Sequence, residues 1–295
     1  MLSAYTITDI LLNIVLALIM LGIGLSLSIS DFRKIFTLPK SLIIALAVQL
    51  FIVPLIAFGI AFYSGLTESE KAGLVIVSLC ASGASSNLIT HLFKGNVALA
   101  ISMTAINSFI TLLTIPLLAN LSLTLFLGID SPVRLPVIET ILQIFFITII
   151  PASIGIYIRR IRERLAKSLE KPLKYILTIL LGVIFTIKIF FGVNIGGTGI
   201  GFHETLQILP FMLLLNFLAM ASGLFIAKLF RLPFTDQFTI SIEVGLHNTA
   251  LALLIGGTIL NNPEIEKPAV VYAMFSFFTA VIFVYLVKRI GSRFK

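Results

Sequence analysis

Tryptophan is absent from this 295-residue chain, cysteine occurs once, histidine three times, and charged residues make up only 12%. Each scarcity excludes something. The lone Cys80, set inside an apolar segment, rules out an intrachain disulfide. With one cysteine, three scattered histidines and no HExxH-type pair, the chain offers neither a metal cluster nor a nucleophile beside its base, so neither an enzyme nor an organic cofactor is expected. A soluble domain carries about 25% charged residues, roughly double the content here.

What is present is hydrophobic. Apolar residues reach 58% and the mean hydropathy is +1.12, the composition of an integral membrane protein. The 25 phenylalanines mostly meet lipid or fill the core, with a minority lining a crevice. A formal charge of +8 raises the question of nucleic acid, but the basic residues lie in short loops between apolar runs, as topology signals do, and not along one stripe. The expected partners are the lipid bilayer and small solutes, with no nucleic acid and no obligate protein partner. The first apolar run is full length and lacks a basic flank, so no cleavable signal is expected.

Helices need about 20 apolar residues to cross the hydrocarbon core. Nine such stretches are expected, over 8–29, 41–64, 71–93, 96–119, 136–158, 173–192, 205–230, 236–260 and 269–288. Alternating sides places 17 of the 21 Lys and Arg residues on one face, against Lys71, Arg134, Lys188 and Lys267 on the other. The positive-inside rule makes the first face cytoplasmic, with the amino terminus outside the cell membrane and the carboxyl terminus in the cytoplasm. Lys188, near the outer end of the sixth stretch, is expected to snorkel.

One carboxylate, Glu243, sits inside the eighth stretch, where an ionised group is costly unless paired, hydrated or coordinating an ion. The residues after it, Val244-Gly245-Leu246-His247-Asn248-Thr249, predict a helix that breaks near the midplane. The third stretch carries Gly83-Ala84-Ser85-Ser86-Asn87 in its middle. Small residues alone often serve close helix packing. Two polar breaks at matching positions in oppositely oriented halves, divided by the basic connection from Arg159 to Lys174, instead mark inverted repeats with a site where they meet. The polar groups gather at one depth, which favours a carrier over a channel lined along its length. Asn216, Ser222 and Gly223 in the seventh stretch read as packing residues.

Four segments carry a resemblance: MLGIGLSLSISDFRKIFTLPK at 20–40, Gln49 to Leu55, GASSNLITHLFKGNVALAISMTA at 83–105, and IEVGLHNTALA at 242–252. Spread in order through nearly the whole chain, they resemble the bile acid:sodium symporter family. The resemblance implies an all-α, ten-helix inverted-repeat fold, here with nine transmembrane helices because the first is absent. It implies a panel domain of residues 1–40 and 136–195 (spans 1, 5 and 6) and a core domain of 41–135 and 196–295 (spans 2–4 and 7–9). Two discontinuous helices would cross in the core, broken near 83–87 and 244–249. The implied function is alternating access that couples sodium entry to uptake of an organic anion, either bile-acid-like or a smaller carboxylate such as pantoate or a keto acid.

The same resemblance implies one or two sodium ions. The first site would use Ser86, Asn87, Thr104 and Glu243, although the hydroxyl that the family often has one turn before Thr104 is replaced by Ala100. The second would use Gln49, Glu243 and the backbone carbonyls of Val244 and Leu246, with His247 standing where the family has a glutamine. Sodium is a hard cation best served by oxygens, so most of this set suits it and an imidazole does not. His247 therefore either hydrogen-bonds Glu243 or Gln49, carries a proton, or packs as a core histidine at the crossover. Asn107, one turn after Thr104, either faces the same cavity or bonds a neighbouring helix. The freed N-termini of the half-helices suit a carboxylate, with Ser85, Asn248 and Thr249 as assisting residues. A proton-coupled or uncoupled carrier on the same fold is the alternative.

Overall fold

The structure is a computed structural model that describes residues 7–27 and 39–291; both termini, and 28–38 within the first resembling segment, lie outside the described residues. Among the described residues every regular element is helical. The helices are α1 (Ile7–Ser26), α2 (Pro39–Ala47), α3 (Val53–Tyr63), α4 (Glu68–Leu79), α5 (Ala84–Leu92), α6 (Val97–Leu127) and α7 (Val137–Ile144). They continue as α8 (Ile150–Ile161), α9 (Glu163–Phe190), α10 (Phe202–Leu229), α11 (Phe234–Gly245), α12 (Thr249–Leu253) and α13 (Pro263–Gly291). Among the described residues six continuous helical stretches are long and apolar enough to cross a membrane: Ile7–Ser26, Pro39–Tyr63, Val97–Leu127, Val137–Ile161, Phe202–Leu229 and Pro263–Arg289. Exposed leucines recur every fourth residue along α6, at Leu113, Leu117, Leu121 and Leu125, an apolar stripe that lipid covers.

Two of these stretches contain a π-helical turn just before a proline. Val48–Ile52 joins α2 to α3 ahead of Pro54, and Phe145–Ile149 joins α7 to α8 ahead of Pro151. Proline lacks the N–H that would close the α-helical turn and its ring crowds the carbonyl four residues back, so the ladder widens by one residue without breaking. A third π turn, Leu254–Ile259, extends α12. It holds Gly257, where a Cβ would lie 1.9 Å from Glu266 Oε1, so a larger residue would have to displace that carboxylate.

Helix starts follow local chemistry. Thr67 and Glu70 form a capping box at α4, and Asn96 Oδ1 accepts from Leu99 N at the head of α6. The turn between α5 and α6 places Lys94 at φ 54° and brings Gly95 against Thr239 and Phe238.

Three apolar clusters hold the bundle together. The largest draws Leu12, Val15, Leu16 and Met20 of α1, Ile144 and Ile149 near α7, and Ile184 of α9 into contact with α3, α4, α6, α10, α12 and α13. It lies in the half of the molecule where α4 and α13 begin, since Gly73 packs on the carbonyl of Ile265. The two smaller clusters occupy the opposite half and, among the described residues, draw on α2, α3, α5, α6, α10, α11 and α13. In that half Asp236 accepts from Ser41 Oγ (2.6 Å) and Asn96 Nδ2 (2.8 Å), tying α2 and the α5–α6 turn to α11.

Lys188 does not snorkel. It is 2% exposed, and its ammonium meets Asp9 at 3.0 Å and Glu266 at 2.9 Å. Those carboxylates come from the first turns of α1 and α13, far away in sequence, and they neutralise inside the protein a charge that would otherwise seek water.

Candidate functional site

Two chain segments lose their helix in the middle of the bundle. The first helix ends at Leu79 and resumes at Ala84; the second ends at Gly245 and resumes at Thr249. The first interruption, at 80–83, thus falls slightly before the expected 83–87 and puts Ser85, Ser86 and Asn87 in the opening turn of α5. The two extended segments run antiparallel, with Ser82 opposite His247 and Asn248 N donating to Ala81 O at 2.8 Å.

Backbone unwound in an apolar interior must find its partners within the protein. Here it does. Gly245 O accepts from Asn216 Nδ2 (2.7 Å) and Tyr272 Oη (2.5 Å), and Ser78 O accepts from Gln49 Nε2 (3.3 Å). Asn216 accepts in turn from Thr279 Oγ1 at 2.7 Å, so it anchors the second break and is more than a packing residue. Asn248 Oδ1 caps α12 through Leu251 N at 3.1 Å.

Glu243 lies in the last turn of α11 and is 1% exposed. Its Oε2 accepts from Ser82 Oγ at 2.5 Å, and Thr104 Oγ1 lies 3.1 Å away. The two hydroxyls are 3.0 Å apart, and Asn87 Nδ2 reaches Thr104 Oγ1 at 3.5 Å. Glu243 Oε1 is buried without a hydrogen-bond partner, as are Gln49 Oε1, Asn87 Oδ1 and Asn107 Oδ1. The carboxylate, the hydroxyls and the amide oxygens are all hard donors, of the kind that suits a hard cation.

The remaining expected residues divide. Ser86 is buried and its hydroxyl turns back to Gly83 O at 2.7 Å. Val244 and Leu246 flank the break, with side chains in the two smaller apolar clusters. His247 makes neither expected hydrogen bond. Its Nδ1 lies 3.2 Å from Cys80 O, its ring 5.5 Å from that of Tyr272, and its Nε2 has no partner. Ser85 and Thr249 are half-buried, and a Cβ at Gly83 would meet Asn248 Cα at 3.8 Å and Ser85 Oγ at 3.9 Å, so Ser85 and Asn248 both lie against Gly83. Ser82 was not anticipated, because a single serine before a glycine in an apolar run reads as packing.

Known proteins align with this arrangement. A profile described as the Sodium Bile acid symporter family matches residues 13–197. The chain is 32% identical over 263 residues to the hepatic sodium/bile acid cotransporter of Rattus norvegicus, covering 88% of this chain and 70% of that protein. It is 29% identical over 282 residues to the Bacillus subtilis protein named Uncharacterized sodium-dependent transporter YocS (92% of this chain, 81% of that protein). It is 26% identical over 257 residues to the Arabidopsis thaliana protein named Probable sodium/metabolite cotransporter BASS1, chloroplastic (87% of this chain). The chain spans only 61% of that plant protein's length. All three are named as transporters or cotransporters, and none as an enzyme. With a profile that covers more than half of its length and a relative above 30% identity, this membrane-spanning chain belongs to the sodium bile acid symporter family.

Proposed function

We propose that the protein is a secondary active transporter that couples sodium entry to uptake of an organic anion by alternating access. The observation that carries this reading is Glu243, buried where two interrupted helices pair, with one oxygen on Ser82 and Thr104 and the other buried without a hydrogen-bond partner. A sodium ion at the first site, with Ser86, Asn87 and Thr104, would neutralise the carboxylate and satisfy Asn87 Oδ1, and one at the second would satisfy Gln49 Oε1.

The nine-span arrangement follows if the pairs α4/α5 and α11/α12 each cross once and α9 crosses through its apolar part, Tyr175–Phe190. α1 and α7 to α9 then form the panel and the rest the core. In this reading panel and core share one apolar cluster in the Lys188 half, the closed end, and the crevice lies towards the basic, cytoplasmic end. Ser85, Asn248 and Thr249 face an anion at the half-helix starts. The relatives' names divide between bile acids and metabolites, which fits either a bile-acid-like molecule or a smaller carboxylate.

Uptake of a panel of radiolabelled bile salts, keto acids and pantoate into proteoliposomes, with a sodium or a potassium gradient at fixed pH, tests the coupling. Uptake that requires sodium is expected. Equal uptake in both gradients would favour the proton-coupled or uncoupled carrier, which His247 and Ala100 motivate.

A further inference from the structure

The resemblance implies a hydroxyl one helical turn before Thr104, where this chain has Ala100. Ala100 lies one helical turn before Thr104, is fully buried and has no hydroxyl; its own carbonyl is 3.1 Å from Thr104 Oγ1. A hydroxyl from a different element stands beside Thr104 and Glu243. Ser82, in the extended segment between α4 and α5, places its Oγ 2.5 Å from Glu243 Oε2 and 3.0 Å from Thr104 Oγ1.

We propose that Ser82 is a sodium ligand of this protein, its hydroxyl taking the place in the cage that Ala100 leaves empty. The proposal rests on the sodium-coupled reading above and adds a residue to it.

Three arguments support a ligand and not a helix-packing serine. A serine within a helix normally returns its proton to a carbonyl three or four residues back, as Ser78, Ser102 and Ser108 do here. Ser82 instead donates across 161 positions to the carboxylate. A hydroxyl has one proton and two lone pairs, so donating to Glu243 leaves both lone pairs for a cation shared with Thr104 and Glu243 Oε1. Finally, Ser82 is 4% exposed and its backbone is held by pairing with His247, so its oxygen is placed before the ion arrives, which lowers the ordering cost of binding.

The arrangement also couples the two interrupted helices. With the ion present, Ser82 of the first break and Glu243 of the second would share one cation. Either segment moving away would break the cage.

The test is a sodium titration of thermal stability on the purified full chain in detergent, at constant ionic strength with choline replacing sodium, because a ligand that binds only the folded state raises the melting temperature. Four proteins are compared: the parent, Ser82→Ala, Ala100→Ser, and the double variant Ser82→Ala/Ala100→Ser. Loss of one oxygen ligand should raise the sodium concentration for half-maximal stabilisation by about tenfold in Ser82→Ala, and the double variant should return to within about threefold of the parent. If Ser82→Ala does not fold, Ser82→Cys, which keeps the volume but presents a soft sulfur, replaces it in both variants. An unchanged midpoint in the serine variant, or a weakened one that Ala100→Ser does not restore, overturns the proposal while leaving sodium coupling intact. A parent that does not respond to sodium overturns the coupled reading itself.

Discussion

Lys188 Nζ meets Glu266 Oε1 at 2.9 Å, both side chains 2% exposed, and so joins the last helical turn of α9 to the first turn of α13 across the two groups of helices. Asp9 of α1 completes the set at 3.0 Å. Breaking a buried ion pair by removing one partner strands the other charge, whereas removing every charge costs little. Lys188→Met is therefore expected to destabilise the protein by about 3–5 kcal/mol. The triple variant Lys188→Met/Asp9→Asn/Glu266→Gln should recover most of that loss. Thermal unfolding of the two variants decides it, and equal melting temperatures would show that the triad carries no net cost of stranded charge.

The carbonyl of Gly245 is held by two donors, Asn216 and Tyr272. Replacing Asn216 with leucine removes one donor from Gly245 O and takes from Thr279 the acceptor it has outside its own helix, with an expected cost of about 1–3 kcal/mol. Because the break also positions Glu243, sodium affinity should fall together with stability. Tyr272→Phe leaves Asn216 in place and should cost less. A loss in Tyr272→Phe as large as that in Asn216→Leu would contradict this ranking.

The parts of the site visible in the sequence were those whose chemistry clashes with their setting. A carboxylate in an apolar run, Glu243, and the Ser86-Asn87 pair with Thr104 stand out without any knowledge of contacts. Gly245 to Asn248 likewise announced the second break. Lys188 misled because a lysine near the end of an apolar run looks the same whether it reaches water or a carboxylate 179 residues away. Asn216 looked like packing because its partner is a backbone carbonyl 29 residues on, and no side-chain pattern marks that. The first break was placed slightly late because serine and asparagine start helices as readily as they interrupt them, and here they occupy the first turn of α5. For Ser82, the available signal was its spacing of four from Ser86 next to a glycine, too weak to separate a ligand from a packing residue.

His247 holds the carbonyl of Cys80 and leaves its second nitrogen unpartnered near the crossing. A glutamine there can keep the donor to Cys80 O through its amide nitrogen while presenting an oxygen. His247→Gln is expected to tighten sodium binding by about tenfold, one added hard ligand. The sodium midpoint of thermal stabilisation measures it. A weaker or unchanged midpoint would show that the ring does not border the ion.

Basic residues on one face of the bundle set the expected orientation, with the beginning of α13 outside the cell. Glu264, exposed at that end, is replaced with cysteine in a Cys80→Ala background. An impermeant maleimide should label it in intact cells. Labelling that appears only after lysis would reverse the topology.

The central claim is that Glu243 binds sodium, and the most direct measurement is equilibrium binding of radioactive sodium to the purified protein and to Glu243→Gln, with thermal unfolding recorded in parallel. The substitution keeps the shape and the hydrogen bonds to Ser82 and Thr104 within reach while removing the charge that a hard cation needs. Saturable sodium binding in the parent, lost in a Glu243→Gln protein that still unfolds cooperatively, is the predicted result. Saturable binding of the same affinity in both proteins would contradict it.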